Sequence, residues 1–167
     1  MGNTSKWQGI NILLNSISII NKKLRNAHFI LVTNKKVHFY NKNIISYINL
    51  NKNDILKLLP VIDISIAPYT RARNKKSGIS PIKVFTYLSA GIPVVISDIG
   101  GISKEIKKQK AGVTFEPDNP EDLSKIIIDI YKQRNKLLPL MSKNARKLAK
   151  QYDWKIIASK IIDFVYN

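Results

Sequence analysis

Apolar positions along the chain follow two periods, and their alternation predicts a layered α/β fold. Ile10, Leu13, Leu14, Ile17, Ile20 and Leu24 recur every three to four residues, which predicts an opening amphipathic helix. Residues 28–33 (HFILVT) read as a buried strand, and 37–40 and 43–48 as shorter ones. Asn53 is placed to cap a brief helix that stops near Pro60, and 61–68 (VIDISIAP) reads as a further strand. After a polar, basic stretch at 69–79, the segment 80–95 (SPIKVFTYLSAGIPVV) predicts a helix feeding a buried strand at 92–97. A glycine turn at 98–101, a short helix about 103–108 and a small strand at 112–115 follow. Asn119 and Pro120 open a helix with acids in its first turn. Two further helices are predicted at about 137–151 and 154–166. Strands alternating with helices predict a Rossmann-like parallel sheet with helices on both faces, in one domain spanning residues 1–167. In such a unit a central first strand precedes the first turn. Here the turn 2–5 (GNTS) comes first, so the expected sheet lacks that strand and the domain is truncated at its N-terminus.

The helix at 80–90 carries the clearest chemical signal. Ser80 is a suitable N-cap and Pro81 suits the first helical position. Val84, Phe85 and Leu88 share one face and are expected to be buried. Lys83, Thr86 and Tyr87 share the opposite face, toward a cleft. Lys83 stands where a Glu or Gln would complete a capping box, and a cation there opposes the helix dipole. Either it points into water or it faces an anionic ligand.

Composition narrows the field. The formal charge of +17, from 28 Lys and Arg against 11 Asp and Glu, favours anionic partners. Abundant Lys, Asn and Ile offer a plainer source for that charge, on solvated faces. With no cysteine, disulfides and thiolate metal sites are excluded, which fits a reducing compartment. No apolar run is long enough to span a bilayer. A nucleic-acid binder is suggested by charge alone, without a recognition motif, and is not the expected partner.

Ligands of open parallel sheets bind beyond the carboxyl ends of the strands. Three loops fall there: 2–9 with Lys6; the basic stretch with Arg71, Arg73, Lys75 and Lys76 running into Gly78, Ile79 and Ser80; and 98–101 with Gly100 and Gly101. Helix N–H groups, glycines and cations in one place suit a phosphate, although each also has an ordinary turn or loop reading. His28 and His38 have no metal-ligand spacing, and no serine sits in a nucleophile elbow. Glu105 and Glu116 are candidate acids. Lys143, Arg146, Lys147 and Lys150 form a basic helical stripe, either solvated or set against anionic lipid head groups.

Taken together these segments resemble the C-terminal half of retaining GT-B glycosyltransferases of family 4, also called glycosyltransferase group 1. The motif at 78–95 (GISPIKVFTYLSAGIPVV) is similar to that family's best-known segment. The stretches 6–10 (KWQGI), 62–68, 97–106 (SDIGGISKEI), 141–146 and 152–154 follow in the family's order. The resemblance implies a donor domain for a nucleotide-diphosphate sugar, with an acceptor domain or chain beside it. It also implies that charge on the departing diphosphate is stabilised by helix N-termini and cations, with no metal or other cofactor. By match, Lys6, Arg73, Gly78, Ile79, Ser80, Lys83, Thr86, Gly100 and Gly101 would line the donor site, and no residue is assigned a catalytic role. It implies a role in building a bacterial surface polysaccharide or similar glycan, in the cytoplasm or peripherally at the inner membrane face. The alternative is a non-catalytic fragment or nucleotide-binding subunit. Two glutamates typical of the family are replaced, by Gly78 and Thr86. Thr86 stands where the resemblance puts the ribose-holding carboxylate, and a hydroxyl cannot form that bidentate contact.

Overall fold

The structure, a computed structural model, describes residues 1–2, 4–39, 41–72 and 82–166. The five strands among the described residues are all parallel. Strand β1 (Phe29–Thr33) pairs with β2 (Ile44–Ile48), and β3 (Ser65–Ala67), β4 (Val94–Ser97) and β5 (Gly112–Phe115) form a second sheet in the order β3-β4-β5. The helices bounded within the described residues are α1 (Ile10–Lys23), α2 (Lys52–Leu58), α3 (Ile82–Ser89), α4 (Ile102–Lys108), α5 (Pro120–Lys132), α6 (Arg134–Lys150) and α7 (Trp154–Tyr166).

Side-chain alternation along β4 explains why helices cover both faces. Val94 and Ile96 point into a core completed by Val84 and Leu88 of α3, Ile102 and Ile106 of α4, and Ala145 and Leu148 of α6. Val95 points the other way, to Ile12 and Ile20 of α1 and to Leu123, Ile127 and Ile130 of α5. Every residue of β4 is buried, as a strand flanked on both edges and both faces requires. Small residues let α1 and α5 approach: Ser124 Oγ lies 3.2 Å from the Ser16 carbonyl oxygen, and both serines are fully buried.

The expected single sheet comes in two pieces. Among the described residues no strand lies between β1 and β3. Only Gly2 forms a parallel bridge to Thr33, its N–H donating to the Val32 carbonyl at 2.9 Å. Behind that bridge lies a cavity of about 640 Å³, with β1 on one wall and residues Ile62 to Ile66 on the other.

Four expected elements change. Residues 37–39 form no strand, because the Thr33 hydroxyl donates to the Lys35 carbonyl (2.8 Å) and the chain turns away from β1. Asn51 caps α2 in place of Asn53: its side chain accepts the Asp54 N–H (3.0 Å) and donates to the Asp54 carboxylate (2.7 Å), a reciprocal cap. The strand expected over 61–68 shrinks to Ser65–Ala67, since Leu59–Val61 forms a 3-10 turn around Pro60. Helix α6 begins at Arg134, three residues ahead of its predicted start, and carries Pro139 within it. Helix α7 has its predicted span but buries no residue, leaving Trp154, Phe164 and Tyr166 more than 80% exposed. No helix among the described residues is long and apolar enough to cross a membrane.

Candidate functional site

Parallel pairing puts the loops after β3, β4 and β5 at one edge, together with the turn that precedes α1. That turn is a 3-10 segment, Lys6–Gln8, closed by Gly9 at φ 69°, ψ 31°. It is fastened to the loop after β3 in three ways. Thr70 donates its N–H to the Trp7 carbonyl (3.1 Å), and Trp7 stacks on Tyr69 with ring centres 5.9 Å apart. Gly9 packs so closely on Pro68 that a Cβ there would lie 1.6 Å from the Pro68 carbonyl oxygen. Gly9→Ala therefore combines left-handed backbone strain with a backbone overlap. It is expected to cost at least about 1–2 kcal/mol from the strain alone, read as a lower denaturant midpoint.

Lys83, in the first turn of α3, reaches into this cluster. Its ammonium donates to Gln8 Oε1 and lies 4.7 Å from the centre of the Tyr69 ring. Burial lowers its pKa from 10.5 to about 8. Among the described residues no carboxylate pairs with it. The Tyr69 hydroxyl is buried with no hydrogen-bond partner among them, and burial raises its pKa. A cavity of about 40 Å³ opens beside Lys83, lined also by Gly2, Gln8, Thr33 and Ile66. It is large enough for a water.

On the next strand, the turn after β4 runs through Gly100 (φ 87°) and Gly101 (φ 58°) into α4. The Ser103 hydroxyl braces it, accepting the Gly100 N–H at 3.1 Å. Beside Gly100 a Cβ would meet open space, so its glycine answers to the backbone angle and not to crowding. The loop after β3 also meets the loop after β5, where Arg71 pairs with Glu116 and donates its N–H to Asp118 (3.1 Å).

Of the expected donor residues, Lys83 joins the Lys6–Gln8 turn, and Gly100 and Gly101 sit at the neighbouring strand end. Lys6 is exposed. Arg73, Gly78, Ile79 and Ser80, with Pro81, lie outside the described residues. Thr86 is partly exposed and its hydroxyl donates to the Ile82 carbonyl of its own helix (3.2 Å). The expected exposure of Tyr87 is corrected: it is buried, because the Met1 amino group covers it and donates to its hydroxyl at 2.8 Å. Val84 and Leu88 are fully buried as expected, whereas Phe85 is half-buried against Tyr152. Gln8 and Tyr69 were not singled out from the sequence. The aromatic placed immediately after the strand-ending Pro68 was the available signal. Glu116 is engaged by Arg71. No group of three His, Cys, Asp or Glu side chains among the described residues is arranged to hold a metal.

Parallel sheets flanked by helices on both faces give the Rossmann-like fold of a GT-B half. The chain belongs to the glycosyl transferases group 1 family, whose profile matches residues 1–133. Solved structures share the fold. Sucrose-phosphate synthase from Thermosynechococcus elongatus is 12% identical with TM-score 0.78, over 98% of this chain and 44% of its own. Anabaena HepE, solved in complex with UDP-glucose, is 18% identical with TM-score 0.77, over 98% and 47%. The C-terminal domain of the group 1 protein LpcC from Francisella tularensis is 14% identical with TM-score 0.72, over 90% and 82%. This chain thus spans less than half the length of the first two. No curated protein matches its sequence.

Proposed function

We propose that this chain binds a nucleotide-diphosphate sugar at the carboxyl edge of β3-β4-β5, as the donor half of a retaining glycosyltransferase. The observation that carries the reading is Lys83, a desolvated cation whose partner among the described residues is a neutral amide. An anionic ligand at this edge supplies the missing counter-charge. HepE, a relative in fold, is known in complex with UDP-glucose, and the pneumococcal transferase GtfA (13% identical, TM-score 0.72) with UDP and GlcNAc.

In this reading the sugar–phosphate bond breaks as the diphosphate gathers charge. Lys83 and the Gly101 N–H at the turn before α4 stabilise that charge without a metal. The acceptor is held by a separate domain or chain. The exposed stripe of Lys143, Arg146, Lys147 and Lys150 suits a cytoplasmic place at an anionic membrane surface, where glycan acceptors for a surface polysaccharide would be met. The alternative is a nucleotide-binding subunit without catalysis of its own, favoured by Thr86, whose hydroxyl is spent on its own helix.

Calorimetry with UDP and GDP tests the reading. Saturable heat with one of them is expected, and none with either at millimolar concentration overturns it. Thr86→Glu is expected to tighten the same binding by about 10–150-fold, the worth of a charge-assisted hydrogen bond of about 1.5–3 kcal/mol. No change would remove position 86 from the site.

A further inference from the structure

Two cations at the carboxyl edge are matched in different ways. Arg71 pairs with the Glu116 carboxylate, and both side chains remain more than half exposed. Lys83 is largely desolvated, and its ammonium meets two neutral groups. One is the Gln8 amide oxygen, and the other is the ring of Tyr69, with 4.7 Å from the ammonium to the ring centre. Tyr69 is fully buried, and Trp7 stacks on it at an interplanar angle of 13°. The ring belongs to the core that also includes Val84 and Leu88 of α3, the helix that carries Lys83.

These partners have an electrostatic consequence. A buried ammonium needs some group to replace its water. A carboxylate would do so by cancelling the charge, and an anionic ligand would then have to displace it. An aromatic face and an amide oxygen stabilise the cation through a quadrupole and a dipole, and neither carries net charge. The positive charge is therefore left for a ligand. The Tyr69 hydroxyl is buried without a hydrogen-bond partner among the described residues, so the contact that position 69 makes with Lys83 is through the ring.

We propose that Tyr69 is a positioning residue of the nucleotide site, whose ring, backed by Trp7, holds the Lys83 ammonium charged and in place for the diphosphate. That role rests on the donor-binding reading for its ligand, whereas the ring's hold on the ammonium is measurable without one. Weakening the ring's attraction destabilises the ammonium, so the Lys83 pKa, lowered by burial to about 8, falls further. The Met1 amino group also acts on Lys83, and burial lowers its pKa to about 5. Burial raises the pKa of Tyr69 and of Tyr87, which lies near it. None of these neighbours changes charge appreciably between about pH 6.5 and 9, so a midpoint moving within that window is that of Lys83.

The test alters the ring's charge distribution while keeping its shape. The 167-residue chain is prepared with Tyr69→Phe, and again with a phenylalanine at position 69 bearing three ring fluorines, which draw electron density from the face. Lys83 is followed by the NMR shift of its Cε, assigned by its loss in Lys83→Met. Tyr69→Phe is expected to keep the midpoint near that of wild type and to keep or raise Tm, since no hydrogen bond is lost. Fluorination is expected to move the midpoint down by about 0.4–1.5 pH units. Affinity for UDP or GDP should then fall by about 2–15-fold at pH 8, through loss of protonated Lys83, and by less than about twofold at pH 6.5. In the Lys83→Met chain the same fluorination should leave affinity unchanged. A fixed Lys83 midpoint with nucleotide binding intact overturns the role of Tyr69 alone. So does an equal loss of affinity in the Lys83→Met chain, which makes the ring merely structural. Binding by none of the chains, wild type included, overturns the donor reading and with it the ligand assigned to Lys83.

Discussion

Raising the pH from 5 to 8 is expected to stabilise the 167-residue chain, prepared with a free Met1 amino group, by on the order of 3 kcal/mol. The cause is the Met1 amino group, buried beside Tyr87. Burial, and then the nearby Lys83 charge, lower its pKa from 8.0 to about 5. Between those values the unfolded chain holds a proton that the folded chain has released. Stability therefore rises with pH across the window, is lowest below 5 and gains nothing more from this group above 8. Urea midpoints measured at half-unit steps of pH would display the slope. A version with one residue added ahead of Met1 replaces the amine by an amide and should flatten it. A slope unchanged by that addition would place its source elsewhere.

Lys83→Met is expected to weaken UDP or GDP binding by about 10–150-fold, the loss of a charged hydrogen bond worth about 1.5–3 kcal/mol. Folding should survive, since a desolvated cation is exchanged for an apolar side chain of similar length. The reading is separable from unfolding because Tm holds while affinity falls. Wild-type affinity should also decline above pH 8, where Lys83 loses its proton. Equal calorimetric affinities for wild type and variant would take Lys83 out of the ligand's reach.

Local periodicity made most elements legible. The spacing of Ile10, Leu13, Ile17 and Ile20 marks α1, the apolar run of β4 is buried throughout, and β5 and α7 have their predicted bounds. The misses share a physical cause, since each depends on contacts distant in sequence or on a choice between chemically equal residues. Asn51 and Asn53 are both competent caps, and only the reach of one side chain to Asp54 decides between them. Tyr87 lies three residues after Val84, at the edge of the apolar face and not on the one opposite, and it is buried where the Met1 amino group covers it. The Lys83–Gln8 contact bridges 75 positions and exists only once the sheet has been assembled. The expectation of an anionic ligand came from Lys83 and the glycine turns, whereas the aromatic setting of Trp7 and Tyr69 could not be read from the sequence.

Helix α7 has a consequence for how the protein behaves in solution. It presents Trp154, Ile161, Phe164 and Val165 to water on a chain carrying a formal charge of +17. Two such molecules repel through their whole surfaces and attract through one stripe. The repulsion reaches only about 10 Å at 0.1 M salt and about 3 Å at 1 M, whereas the attraction of apolar stripes is not screened. Ionic strength therefore governs the colloidal state: dilute buffer keeps the copies apart, and concentrated salt lets them cohere through α7.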